Sequence, residues 1–133
     1  MLGSILFIVC LGSLLMLNWR LLMKVARLRR SSRVAVGIQG EAMERAVAAH
    51  RNFIENTPIN LIAPSIVFIN GHTLLASVPV ALLLAGRLFH ARSVQRMDEG
   101  QTQYVDRIRG MKLTFAATLS GIGCLVVSVV LGL

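Results

Sequence analysis

The sequence predicts an all-α membrane protein built as a bundle of four transmembrane helices. Three observations carry that prediction. First, the 133-residue chain is 55% hydrophobic and only 15% charged, where an ordinary soluble domain is about 25% charged; its mean hydropathy is +0.69. Second, the charges are segregated. Met1–Trp19, Asn56–Gly86 and Leu113–Leu133 contain no Asp, Glu, Lys or Arg, and a spanning helix needs about 20 apolar residues. Third, the middle stretch is broken at Asn70–Gly71, a dipeptide that favours a turn.

Taken in order, helix I runs from about Leu2 to Arg29 and opens on the uncharged N-terminal stretch. Helix II runs from about Glu41 to Ile69, with a charged first half and an apolar second half. Helix III follows the turn, from about Thr73 to Arg96. Helix IV runs from about Arg107 to Leu131. The bilayer forces helix, because a helix satisfies its own backbone hydrogen bonds. Barrel strands would alternate polar and apolar residues, whereas Leu2–Met16 and Leu125–Leu131 are nearly continuous apolar runs. The length suits one unit, residues 1–133.

Composition excludes other classes. A disordered tail lacks such apolar content, and a basic nucleic-acid-binding domain is far less hydrophobic. A secreted disulfide scaffold needs more than Cys10 and Cys124. Both cysteines read as small buried hydrophobes. The N-terminus does not read as a cleaved signal peptide, because its basic residues follow the apolar run.

The net charge of +8 gives orientation. Lys24, Arg27, Arg29, Arg30 and Arg33 follow the first apolar stretch; Arg92, Arg96, Arg107, Arg109 and Lys112 flank the III–IV connection. Both groups fall on one side of a four-helix protein. The positive-inside rule makes that side cytoplasmic, with both termini and the Asn70–Gly71 turn opposite.

Other charges interrupt apolar sequence. Ionisable residues in membrane segments are costly and usually face a bundle interior or a water-filled cavity. Helix II carries Arg45, Arg51, Asn52 and Glu55. Arg51 and Glu55 are i,i+4 neighbours able to pair, while Arg45, Asn52 and Glu55 fall near one stripe. Helix III adds Arg87 and His90, which share a face at i,i+3. A polar, mostly cationic cavity in the cytoplasmic half follows. Its arginines suit an anionic ligand with carboxylates, and Glu55 would take an amine unless Arg51 occupies it. The competing explanation is a salt-bridge network that only fixes helix packing.

Three segments resemble one family. Glu44-Arg45, Ala49-His50-Arg51-Asn52-Phe53-Ile54-Glu55-Asn56-Thr57-Pro58, together with Leu84-Ala85-Gly86-Arg87-Leu88-Phe89-His90 and Arg107-Ile108-Arg109-Gly110-Met111, are similar to the signature of the MAPEG family. Those are the membrane-associated proteins of eicosanoid and glutathione metabolism. The similarity covers about residues 1–130 and is nearest to the small bacterial inner-membrane branch.

The resemblance implies a homotrimer of left-handed four-helix bundles, with glutathione held between subunits in a pocket open to the cytosol. It matches Arg51, Asn52 and Glu55 to helix II glutathione contacts. Arg87 and His90 match pocket residues on helix III, and Arg27 matches a basic residue that reaches the ligand. Arg107 or Arg109 takes the place of the thiolate-stabilising arginine, with Arg107 preferred. Glutathione would be the co-substrate and a lipophilic small molecule, arriving through the membrane lipid, the other substrate. No metal is implied, and His50 and His90 lack a third ligand. No nucleic acid is expected. The function implied is a glutathione-dependent transferase or peroxidase.

The chain departs from the family's pattern at Ala48, where an arginine is common, and at Val94, where enzymes of the family often carry a tyrosine. Its only tyrosine, Tyr104, falls in the expected III–IV connection. Ala48 lies just outside the expected ligand stripe. The departures keep open a noncatalytic protein of the same fold that binds a lipid, a thiol ligand or a partner protein. A transporter subunit fits less well, because neither an inverted repeat nor a broken helix is evident.

Topology is testable by thiol labelling in a Cys10→Ala/Cys124→Ala background. A membrane-impermeant maleimide should reach Gly71→Cys in intact cells and Ser31→Cys only after permeabilisation. The reverse pattern would invert the orientation.

Overall fold

A computed structural model describes residues 1–95, 101–130 and 132. It contains four α-helices in an up-and-down order: α1 (Leu2–Ser32), α2 (Glu41–Ile69), α3 (Thr73–Gln95) and α4 (Gln101–Val130). The first three agree closely with the sequence. Arg96, the expected end of helix III, lies outside the described residues, as do Met97–Gly100 of the connection and Leu131. α4 starts at Gln101, a full turn and more before the expected Arg107. Hydropathy marks where a helix enters lipid, not where it begins, and the polar segment 101–106 extends it beyond the bilayer. Tyr104 is therefore helical and exposed.

Local chemistry explains the ends. Arg29 and Arg30 lie in the last turn of α1, where cations favour the negative end of the helix dipole. Arg33 closes that helix in the left-handed region, φ 53°, and the Arg29 guanidinium donates to the carbonyl of Ala35 at 2.8 Å. Glu41 and Glu44 occupy the first turn of α2, at its positive end. Its far end closes with a Schellman pattern. The His72 amide donates to the Val67 carbonyl at 3.2 Å and the Gly71 amide to the Phe68 carbonyl at 3.0 Å. Gly71 sits at φ 94°, a conformation glycine adopts without steric cost.

α1 and α4 occupy opposite corners, each packed on both α2 and α3, and the α3–α4 contact is the most extensive. The buried face of α1 is Gly3, Phe7, Cys10, Leu14, Leu21 and Val25, a three-four stripe of the kind that packs nearly aligned helices. Phe7 stacks on Phe68 of α2 with ring centroids 4.3 Å apart. Leu14, Leu21, Phe53, Val67, Val80, Leu83 and Ala117 complete the core. Cys10 and Cys124 are buried free thiols. Pro58, Pro64 and Pro79 lie inside helices, which membrane helices tolerate when neighbours cover the freed carbonyls.

The outside is apolar. Leu15, Trp19, Phe115, Leu119, Ile122 and Val126 are all exposed, a surface suited to lipid rather than water. α1, Thr73–Val94 of α3 and Tyr104–Val130 of α4 are each long and apolar enough to cross a membrane. α2 is different. Its uncharged part, Asn56–Ile69, gives only about 21 Å of helix, short of a hydrocarbon core of about 30 Å.

Two glycines set the α3–α4 distance. A Cβ on Gly86 would lie 2.9 Å from the Gly110 carbonyl oxygen, and one on Gly110 would lie 2.9 Å from that of Gly86. Small residues let membrane helices approach this closely. Gly86→Ala or Gly110→Ala should therefore cost about 1–3 kcal/mol, read as a lower melting temperature in detergent. Gly12→Ala and Gly123→Ala, where nothing lies within 4 Å, should not lower it.

Candidate functional site

The tight crossing fixes what lies beside it. Arg87 follows Gly86 on α3 and is only 3% exposed. Its Nη1 donates to Asn52 Oδ1 of α2 at 2.5 Å and to the Asn52 carbonyl at 3.3 Å. Its Nη2 donates to Thr114 Oγ1 of α4, and that hydroxyl donates to the Gly110 carbonyl at 2.8 Å. One guanidinium thus ties three helices together. Charge-assisted bonds of this kind are the strong ones, and a buried charge needs them.

A polar column continues from it into the bundle. Asn56 donates to the Asn52 carbonyl at 2.9 Å and Asn60 to the Asn56 carbonyl at 2.8 Å. The Thr118 hydroxyl of α4 meets Asn60 Oδ1 at 2.5 Å. His90 is buried at the same level as Gly110, and Ser93 Oγ donates to its carbonyl at 2.8 Å. Around Arg87 and His90 the packing admits no water-sized sphere. Within one chain these two residues form a packed network, not the wall of a cavity.

One open cleft lies at the basic end, between α2, α3 and α4. A cleft of about 340 Å³ is lined by Glu41, Glu44, Arg45 and Ala48 of α2, Ser93 and Val94 of α3, and Arg107 of α4. Glu41, Glu44 and Ala48 follow at i, i+3 and i+7, one stripe of a helix. Arg45 pairs with Glu41 at 3.1 Å. The cleft therefore offers two guanidinium groups and two carboxylates over a small apolar floor.

The sequence-derived residues divide into groups. Arg107 lines the cleft, whereas Arg109 is 63% exposed and pairs with Asp106 at 3.7 Å; the two sit on different faces of α4. Arg45 and Asn52 turn toward the bundle. Glu55 turns outward and is held by Arg51, Nε to Oε1 at 2.7 Å, with the two side chains 74% and 52% exposed. The expected common stripe of Arg45, Asn52 and Glu55 is thus split between two faces. Arg27 is exposed on α1, in a hollow with Met16, Trp19, Arg20, Met23, Lys24 and Leu28, away from the cleft.

Sequence reasoning passed over two features. Glu41 and Glu44 are cleft residues, signalled by their heptad spacing with Ala48. Thr114 is the α4 partner of Arg87, four residues after Gly110. Ala48 and Val94, the two departures from the family's pattern that the sequence singled out, both belong to the cleft lining.

These features define a multi-pass membrane protein with a charged cleft where its helices emerge at their basic end. The chain belongs to the MAPEG family, whose model matches residues 2–128. Neither a search of curated proteins nor one of solved structures returned a significant match.

The network and the outer pair should respond differently to mutation. Asn52→Ala removes the main acceptor of a buried guanidinium and should cost about 2–3 kcal/mol. Arg51→Ala removes one half of a pair on the outer face of the chain and should lower the melting temperature of the detergent-solubilised protein less than Asn52→Ala does.

Proposed function

We propose that the protein is a glutathione-dependent transferase or peroxidase that acts on lipophilic electrophiles. Its family membership supports a thiol co-substrate. The observation that carries the reading is Arg107 in the wall of an open cleft with Arg45, Glu41 and Glu44. Glutathione presents two carboxylates, an ammonium and a thiol. A free thiol of pKa about 8.5 is mostly protonated at neutral pH, and a guanidinium beside it favours the thiolate. Arg107 fills that role. Arg45 suits a carboxylate, and Glu44 suits the ammonium because Arg51 already holds Glu55.

In the transferase reaction the thiolate forms a carbon–sulfur bond with the electrophile and the leaving group departs. In the peroxidase reaction two thiols are oxidised to a disulfide. The hydroperoxide is reduced to an alcohol and water. The anion arrives from water at the cleft mouth and the lipophilic partner from the bilayer.

The complete site is a subunit-boundary site in this proposal. Arg51, Glu55 and Arg27 lie on outer surfaces of one chain, so they reach a shared ligand only across an interface. The short apolar part of α2 places the Arg51–Glu55 pair at bilayer depth, where a neighbouring subunit shields it from lipid better than exposure does. A homotrimer provides that boundary. We place it in a bacterial inner membrane, residues 1–133 forming one unit with the basic connections cytoplasmic.

The occupation of the cleft by Ala48 and Val94 favours a second reading. In it the fold binds a lipid, a thiol or a partner protein without chemistry, because a cation and a phenol are missing from the wall.

Calorimetry on solubilised protein should show heat at millimolar glutathione, and the protein should conjugate 1-chloro-2,4-dinitrobenzene. Arg107→Ala should lower the rate about a hundredfold, while Arg109→Ala and Arg30→Ala should leave it near wild type. Binding without turnover, restored to turnover by Ala48→Arg/Val94→Tyr, would select the second reading. Absence of glutathione binding overturns the first.

A further inference from the structure

The Thr114 hydroxyl lies where α2, α3 and α4 meet, and both of its bonding capacities are used. The side chain is buried. Its oxygen accepts from Arg87 Nη2, which leaves its single proton to donate. That proton goes to the Gly110 carbonyl at 2.8 Å. In an α-helix the same carbonyl already faces the amide four residues on, here that of Thr114. A hydroxyl that bonds back to such a carbonyl bends the helix.

Gly110 is where α4 takes up that bend. It carries no side chain, and it meets Gly86 so closely that a Cβ on it would lie 2.9 Å from the Gly86 carbonyl oxygen. The turns of α4 before this point, residues 101–110, include Arg107, three residues earlier and about 4.5 Å along the axis. The other end of the bond chain is fixed. Arg87 Nη1 donates to the side chain and the carbonyl of Asn52 on α2. The helices that hold Arg87 also supply the rest of the cleft, Ala48 from α2 and Ser93 and Val94 from α3. Thr114 thus ties the α4 wall to the other two. Thr118, one turn further on, lies within reach of Asn60 Oδ1 at 2.5 Å and the Thr114 carbonyl at 3.0 Å. Its bonds are made beyond Gly110, on the side away from Arg107.

We propose that Thr114 is a positioning residue for the cleft: its hydroxyl, oriented by Arg87, sets the bend of α4 at Gly110 and so the place of Arg107 opposite Ala48 and Val94. The placement of residue 107 follows from the hydrogen bonds; its consequence for a bound thiol rests on the function proposed above. Without the hydroxyl the first turns of α4 straighten and Arg107 withdraws. A guanidinium further from the sulfur favours the thiolate less.

Two measurements on the full chain in detergent test this. In a Cys10→Ala/Cys124→Ala background, Ala48→Cys/Arg107→Cys should be joined by a short bifunctional thiol reagent. Thr114→Val should slow the joining about tenfold, Thr114→Ser should keep it near the parent rate, and Thr118→Val should leave it unchanged. If Thr114→Val does not fold, Arg87→Met/Thr114→Val leaves no buried guanidinium to satisfy and should slow the joining as much. With Arg107 in place, the ultraviolet absorbance of bound glutathione thiolate followed against pH should have a midpoint about one pH unit higher in Thr114→Val than in wild type, and Thr114→Ser should match wild type. Joining at the parent rate without the hydroxyl, equal slowing in Thr118→Val, or an unmoved midpoint would each overturn the positioning role. Slowed joining in Thr114→Val together with no glutathione binding by wild type would support it and overturn the glutathione reading instead.

Discussion

Where α3 crosses α4, each helix turns a glycine to the other, and the backbones meet at a distance that no side chain would permit. The polar architecture is organised around that contact. Arg87, next to Gly86, is carried into the junction with α2, where Asn52 and Thr114 receive it. Thr114 lies four residues beyond Gly110, and Arg107 three residues before it, so all three share one side of α4. The same approach that packs Arg87 brings Arg107 beside Ser93, Val94 and Ala48. A wider crossing would loosen the network and move the wall of the cleft together.

The buried arginine also explains how a charge persists among apolar helices. A lone guanidinium there would be prohibitive, but this one donates from both terminal nitrogens to an amide oxygen, a carbonyl and a hydroxyl on two neighbouring helices, leaving its buried Nε as the one nitrogen without a partner among the described residues. Arg51 solves the problem differently, by pairing with Glu55 one turn away on the same helix. The first arrangement joins helices and the second does not. That difference separates residues holding the chain's interior from those presented at its outer face.

Much of the fold was legible in the sequence because lipid imposes one rule on long stretches. Uncharged runs of sufficient length become helices, and Asn70–Gly71 marks the reversal between two of them. The start of α4 was not legible, since helix outside the bilayer leaves no hydropathy signal. The site was legible in part. Motif positions singled out Arg87 and Asn52, which the structure joins in one buried network, and Arg107, which lines the cleft, yet spacing alone could not say which polar groups would consume one another. Asn52 is spent on Arg87, Glu55 on Arg51 and Glu41 on Arg45, while Glu41 and Glu44, which resemble ordinary first-turn carboxylates, line the opening. Ala48, set just outside the expected ligand stripe by a helical wheel, lines the cleft, since a wheel gives angle but not the neighbour that completes a cavity.

The Gly71 reversal has a mechanical consequence. It joins α2 to α3 through a tight hydrogen-bonded turn, and at that same end Gly3 lies against the backbone at the beginning of α3. At the other end α1 and α2 are linked by the longer segment 33–40. The helices are therefore gathered by a tight turn and a glycine contact at one rim, while α1 and α2 are joined at the other, where the charged cleft opens, by a segment of several residues.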